Sequence, residues 1–312
     1  MTDSPEASDR GRQATSPAEI PAPGWRDIAL RVKDEFREDH VTLTGAGVAF
    51  FWFVALVPLM AAGVSLYGLV TEPAQVTKLI ESAEGALPAE VANLLTEQLT
   101  SIAAGSTGAL GFGFVIALAL SLWSGSAGVG NLIEAINIAY EEEETRPFWK
   151  KRLLALGLTV GLLVVAAAAA ALLGWADTVE GVGWSLLAWI GVLVLMTLTV
   201  SVLYRWGPNR DDAEWEWISL GAILAVVLWA AGSAGFAFYV DQFGSYNETY
   251  GSLGAIVVTL LWLWITALAI ILGAEVNAEI ESQTAHDTTE GPEEPMGQRG
   301  AVVADELGRI PE

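Results

Sequence analysis

The sequence predicts an all-α polytopic membrane protein of six transmembrane helices, with both termini cytoplasmic and an amphipathic helix in the first external loop. Three observations predict it. The 312-residue chain is 53% hydrophobic and only 17% charged, where a soluble chain carries about a quarter charged residues. Six windows lack any Asp, Glu, Lys or Arg: Gly45–Val70, Thr107–Ser126, Leu153–Gly174, Trp184–Tyr204, Ile218–Val240 and Ser252–Ala274. Lys and Arg also collect on alternate sides of these windows.

Each window holds at least 20 residues, and about 20 residues at 1.5 Å per residue cross the roughly 30 Å hydrocarbon core. A soluble core helix normally keeps a polar face. The net charge of −22 therefore resides in the aqueous segments. With no cysteine, a disulfide scaffold or thiolate metal site is excluded, and no cofactor or metal is expected.

Residues 1–44 come first, as a cytoplasmic tail and juxtamembrane helix. Residues 1–24 are polar and acidic and read as largely disordered. Arg26–His40 carries both signs of charge around Ile28, Leu30 and Val32 and reads as a short helix on the inner membrane surface. With no apolar run near the start, the first span is an uncleaved helix. His40, a lone histidine beside a span, reads as an interfacial residue.

The membrane domain covers 45–280. Pro58 should kink its first span by removing a backbone hydrogen bond. In the loop that follows, Leu87-Pro88 opens an amphipathic helix whose stripe is Val91, Leu94, Leu95, Leu99 and Ile102. It reads as a helix on the outer leaflet or capping the bundle, with a lid over an external cavity as the alternative. The second helical pattern runs from Thr107 to Tyr140, 34 residues or about 51 Å, too long for one crossing. Gly125, Gly128 and Gly130 make it break there, as a hinge, or else the helix projects into the cytoplasm. Asn131, Glu134 and Asn137 follow at i, i+3 steps. They face the bundle interior or solvate the helix end.

The fourth inter-span segment carries Arg205 and Arg210. The loop 241–251 and its exit to Gly254 have three glycines, two tyrosines and two acids and read as a tight turn. The last span ends in Glu275, Asn277 and Glu279, where an acid just past an apolar run marks either a functional site or the water boundary. Residues 281–312 read as a disordered acidic cytoplasmic tail.

Orientation follows from the basic residues. Near the span ends, four lie just before the first span (Arg26, Arg31, Lys33 and Arg37), four at 146–152 and two at 205–210, against Lys78 alone on the other side. Short cytoplasmic loops collect Lys and Arg, so both ends are cytoplasmic and the protein belongs in the inner or plasma membrane. Trp149, Trp175, Trp184, Trp206, Trp215 and Trp217 lie near span ends, where indoles favour the headgroup layer. Trp52, Trp123, Trp229, Trp262 and Trp264 read as core aromatics.

Phe50 to Leu59, Leu122-Trp123-Ser124 with Ala135 to Tyr140, Arg146-Pro147-Phe148 and Tyr204-Arg205 with Pro208 form one set of motifs. With Tyr250 to Ala255 and Leu272 to Ala278, they resemble the YihY/virulence factor BrkB family over about 45–280. Ala55 departs from the pattern, where serine is expected. The resemblance implies a six-span inner-membrane protein with cytoplasmic ends. It also implies transport or envelope maintenance, because some relatives are linked to lipid export or serum resistance. An old label for the family is tRNA-processing ribonuclease, but the sequence has no basic patch, metal-ligand cluster or soluble catalytic domain. Nucleic acid is therefore not an expected partner, and no enzyme is expected.

Two readings follow. The first is transport or export of a lipid or other amphipathic envelope component, with Asn131, Glu134, Asn137, Glu275 and Asn277 as substrate-pathway candidates. Gly125, Gly128, Gly130 and Pro58 would be its hinges, membrane lipid its partner, and a homodimer its plausible assembly. The second is a non-transporting envelope scaffold or assembly factor.

Overall fold

A computed structural model describes residues 10–70, 110–179, 182–242 and 252–311. The amphipathic helix expected at 87–102 and the turn expected at 243–251 lie outside these residues. The helices are α1 (Ala22–Glu38), α2 (Val41–Val70), α3 (Leu110–Ala139), α4 (Phe148–Thr178), α5 (Val182–Trp206), α6 (Trp215–Gln242), α7 (Ser252–Glu281) and the four-residue α8 (Val302–Asp305). Among the described residues the extended structure is one isolated bridge, Ala213 with Thr289.

Local chemistry places the helix ends. Pro23 lies in the first turn of α1, and Pro147, in extended backbone, precedes α4; a proline there removes no helical hydrogen bond. α1 ends at the Asp39-His40 elbow, where His40 takes φ 48° and its Nδ1 sits 2.9 Å from the Arg37 carbonyl oxygen. The chain bends 61° there into α2. Over the described residues α4, α5, α6 and α7 are each long and apolar enough to cross a membrane, and α1 joined to α2 across the elbow makes a fifth.

Each long helix packs on the next in sequence, and α7 returns to α2, closing a ring; α7 also touches α3 and carries α1 and α8 at its C-terminal end. The outward faces are apolar. Leu186, Leu187, Trp189, Ile190, Val194 and Leu198 of α5 are exposed, as are Leu153, Val160 and Val164 of α4. A contiguous apolar surface of this kind needs lipid or another protein against it.

One expected break does not occur. α3 runs unbroken through Gly125, Gly128 and Gly130, so the glycine cluster does not break it and its 30 residues project beyond one crossing. Gly128 instead allows close approach: its carbonyl accepts a 3.1 Å hydrogen bond from Trp52 Nε1, and a Cβ there would lie 2.8 Å from the indole. Ala55, where serine was expected, is buried beside it. Pro58 lies inside α2. Among the tryptophans, Trp217 is fully buried and Trp123 is exposed, the reverse of their expected settings.

The tails also depart from expectation: residues 10–24 and 282–311 pack on the helix ends. Arginines hold them by collecting backbone carbonyls. Arg12 donates to Ser282 O and Gly308 O, while Arg299 donates to Ala304 O at 2.6 Å and Ala285 O at 2.7 Å. Val302 N donates to Glu142 Oε1 at 2.8 Å, docking α8 beside the end of α3. A guanidinium presents five donors in a rigid fork, so a few arginines order a segment too polar to build an apolar core.

Candidate functional site

The chemistry-bearing residues lie at the end of the ring that carries both tails, in three separate places. The first is the junction of α3, α6 and α7. Gly221 of α6 and Gly273 of α7 meet backbone to backbone, leaving no room for a Cβ at either. Asn277 stitches this contact: its Oδ1 accepts from Gly221 N at 2.8 Å and its Nδ2 donates to Ile218 O at 3.0 Å. Asn137 joins two loops, accepting from Asn209 N at 2.8 Å and donating to Glu144 at 3.3 Å. Arg146 pairs with Glu144 at 2.6 Å and donates to Gly207 O at 2.8 Å. Arg210 grips Glu281 through both nitrogens, at 2.6 and 3.2 Å, and both side chains are at most 1% exposed. Thr288 donates to the same carboxylate, and the guanidinium lies over the Tyr140 ring. This junction is solid: Asn137 and Asn277, expected on a substrate path, are buried with their amides engaged.

The second place is a cavity of about 200 Å³ between α1, the end of α3, α7 and the C-terminal segment. Six carboxylic acids line it (Glu35, Asp39, Glu141, Glu275, Glu279 and Glu306) against Arg31 and Arg309. Both arginines are committed: Arg31 pairs with Glu279 and donates to its carbonyl at 2.9 Å, and Arg309 pairs with Asp34 at 2.8 Å. Burial, then repulsion from Glu279, Glu38, Asp39 and Glu141, pushes the Glu35 carboxyl up to about 7. Burial also pushes Asp39 up. A carboxyl raised in the folded state binds its proton more tightly there than in the unfolded chain, so its contribution is full below the unfolded value and is lost as pH rises through the folded one. The protein should therefore lose stability between about pH 5 and pH 8. Glu35 is only half-buried, so screening leaves on the order of 1 kcal/mol, a fall of a few degrees in melting temperature. Thermal scans of purified wild type and Glu35→Gln across this range check it, the variant showing the shallower fall.

The third place is a recess of about 220 Å³ on the outer face between α3 and α4. Gly130, Asn131 and Glu134 of α3 and Phe148, Lys151 and Arg152 of α4 line it. Asn131 Nδ2 donates to Ala127 O of its own helix, and Glu134 pairs with Lys151. Arg152 lies 4.4 Å from the Trp123 ring and donates to Trp123 O, while its Nε is buried without a partner. The five pathway candidates are thus divided: Asn131 and Glu134 at the recess, Glu275 at the acid-lined cavity, Asn137 and Asn277 in the solid junction. Among the described residues, no group of three His, Asp or Glu side chains is placed to hold a metal ion.

Sequence reasoning missed the arginine staples Arg12, Arg31, Arg210 and Arg299. The available signal was a basic residue isolated in an otherwise acidic stretch, as at Arg299.

A helical ring with an apolar outer face and a polar end closed by buried ion pairs defines an integral membrane protein. The chain belongs to the BrkB family: the family model described as Virulence factor BrkB matches residues 32–297. It is 31% identical over 249 residues to the putative ribonuclease-like protein YfkH of Bacillus subtilis (strain 168), covering 75% of this chain and 87% of that one. It is 26% identical over 280 residues to a UPF0761 membrane protein of Pseudoalteromonas translucida (strain TAC 125), covering 86% and 89%. A UPF0761 membrane protein of Aeromonas salmonicida (strain A449) is 26% identical over 266 residues, covering 80% and 88%. No solved structure matches the chain.

Proposed function

We propose that this protein transports or exports an amphipathic envelope lipid with an anionic headgroup, taken up at the recess between α3 and α4. In this reading the six long helices are six spans, the end bearing both tails is cytoplasmic, and the recess opens to the inner leaflet. The observation that carries it is the recess itself. A cationic patch with an unpartnered Arg152 Nε adjoins an apolar helix face, which is the pairing of surfaces that a headgroup and its acyl chains require. Phe148 and Trp149 are exposed beside it, and Leu153, Val160 and Val164 continue the apolar track along α4. Cation and aromatic side chains together favour the headgroup layer. Asn131 and Glu134 supply the polar wall, Glu134 orienting Lys151. A homodimer is part of this reading, because six spans make a small transporter.

The test is lipid movement in vesicles containing the full chain. Phosphatidylglycerol with a fluorescent acyl chain is extracted from the outer leaflet by albumin. Wild type should move it faster than protein-free vesicles do, and faster than it moves phosphatidylcholine. Lys151→Gln/Arg152→Gln should slow it at least about fivefold, since two charge-assisted contacts are lost, with helix content unchanged. Transport indistinguishable from empty vesicles overturns the reading. Specific binding of the lipid without movement would favour the scaffold instead.

A further inference from the structure

We propose that Asp39 and Glu275 form a proton-binding carboxyl pair that latches the α1–α2 elbow to α7 and opens to water through the acid-lined cavity. This does not rest on the lipid reading. Both side chains line the same cavity, with their carboxyl groups close enough to act on each other. Two carboxylates have no proton to donate to each other, so such closeness favours one of them being protonated or a cation lying between them.

A second, independent observation concerns Glu275 alone. Its side chain is 1% exposed, it lines the cavity, and its Oε1 is buried with no hydrogen-bond partner. An ionised carboxylate left so poorly solvated is costly, and the neutral acid is the form that such a site tolerates.

The surroundings favour the proton over a cation. From α1 the pair faces Glu35, Glu38 and Arg31; from the elbow, His40; from the end of α3, Glu141; from α7, Glu279; and from the C-terminal segment, Glu306 and Arg309. Arg31 is taken by Glu279 and Arg309 by Asp34. His40 Nδ1 is turned to the Arg37 carbonyl. Among the described residues that line the cavity, no uncommitted positive charge is left to stabilise two anions at the pair. Among the described residues, no three acids or histidines converge on a metal position.

Asp39 lies where the chain bends 61° from α1 into α2, next to His40 in the left-handed region. Losing the shared proton sets two like charges in contact across the elbow and α7. The repulsion loosens the elbow. Regaining the proton closes it.

The experiment follows protonated carboxyl groups by infrared difference spectroscopy of the full chain in lipid nanodiscs, every protein carrying Glu35→Gln so that the acid raised to about 7 gives no band, with hydrogen exchange of the 31–44 segment measured in parallel. The otherwise wild-type chain should keep a protonated-carboxyl band at about pH 7, well above the ~4 at which exposed acids ionise. The band should vanish at higher pH as protection factors at 31–44, corrected for base-catalysed intrinsic exchange, fall at least about tenfold. Glu275→Gln and Asp39→Asn each keep a hydrogen bond without needing the proton. Both should lack the band and keep protection factors high at every pH, and either folded variant suffices if the other does not fold. A band absent from the otherwise wild-type chain at neutral pH, or one that persists in both variants, overturns the proposal. Loss of the band on adding sodium or magnesium chloride at constant pH identifies a cation site and overturns it equally.

Discussion

Arg210→Met is expected to cost about 3–5 kcal/mol, because it strands the Glu281 carboxylate, 0% exposed, without its counter-charge. That is a large share of the 5–15 kcal/mol holding a typical domain together, so little monodisperse protein should be recovered. The loss goes beyond one pair. Arg210 also stacks on Tyr140 at the end of α3, and Glu281 is further held by Thr288 of the tail. The double variant Arg210→Met/Glu281→Leu removes both charges together and should regain much of the yield, since a buried pair replaced by apolar groups is often neutral. Yield and melting temperature of the two variants decide it. Equal losses would mean that the ion pair is not what stabilises the junction.

The second large effect is at the α6–α7 contact. Gly221→Val is expected to cost about 3 kcal/mol or more, combining overpacking with the loss of two buried hydrogen bonds. The added Cβ meets the Gly273 carbonyl and the Asn277 side chain, and a backbone carbonyl has no rotamer in which to retreat. Gly130→Ala is the contrast. Its nearest foreign atom is the Ala155 Cβ at 4.0 Å, so the methyl fits, and alanine favours a helix interior by about 1 kcal/mol. Melting temperature should therefore rise in Gly130→Ala and fall sharply in Gly221→Val. A stabilised Gly130→Ala that also transports normally would remove Gly130 from any hinge role.

The apolar helices could be read from composition because lipid leaves backbone groups no partner but one another, so an uncharged run of span length is already a helix. The motifs at 122–148, 204–208 and 272–278 pointed to one family before any fold was known. What those motifs do was not legible. Asn277 looked like a pathway residue because a polar side chain at the end of a span is rare and marked. It proves to be a stitch across a glycine contact, and that role depends on Gly221, 56 positions earlier. Gly128 looked like a break for a similar reason. Glycine weakens a helix locally, but the indole of Trp52 fills the space that its missing Cβ leaves.

The tails were misread through a compositional rule. Segments of low hydrophobicity and high charge usually cannot offset their ordering entropy, and 281–312 fits that description. Here Arg12 and Arg299 bond several carbonyls each and the tail borrows the helix ends as its core, a long-range arrangement invisible in a window of neighbours.

By itself the sequence determined the helical class, the lipid-facing character of the spans and the uneven distribution of basic charge, since each depends on residues a few positions apart and on transfer from water to hydrocarbon. Only the tertiary structure decided which polar groups meet. It placed Asn131 and Glu134 at a recess between α3 and α4, sealed Asn137 and Asn277 in a junction, and set Glu275 in one cavity with Asp39, 236 positions away. The reason is physical: helix periodicity sets which face a residue occupies, but its partner depends on how six helices close into a ring.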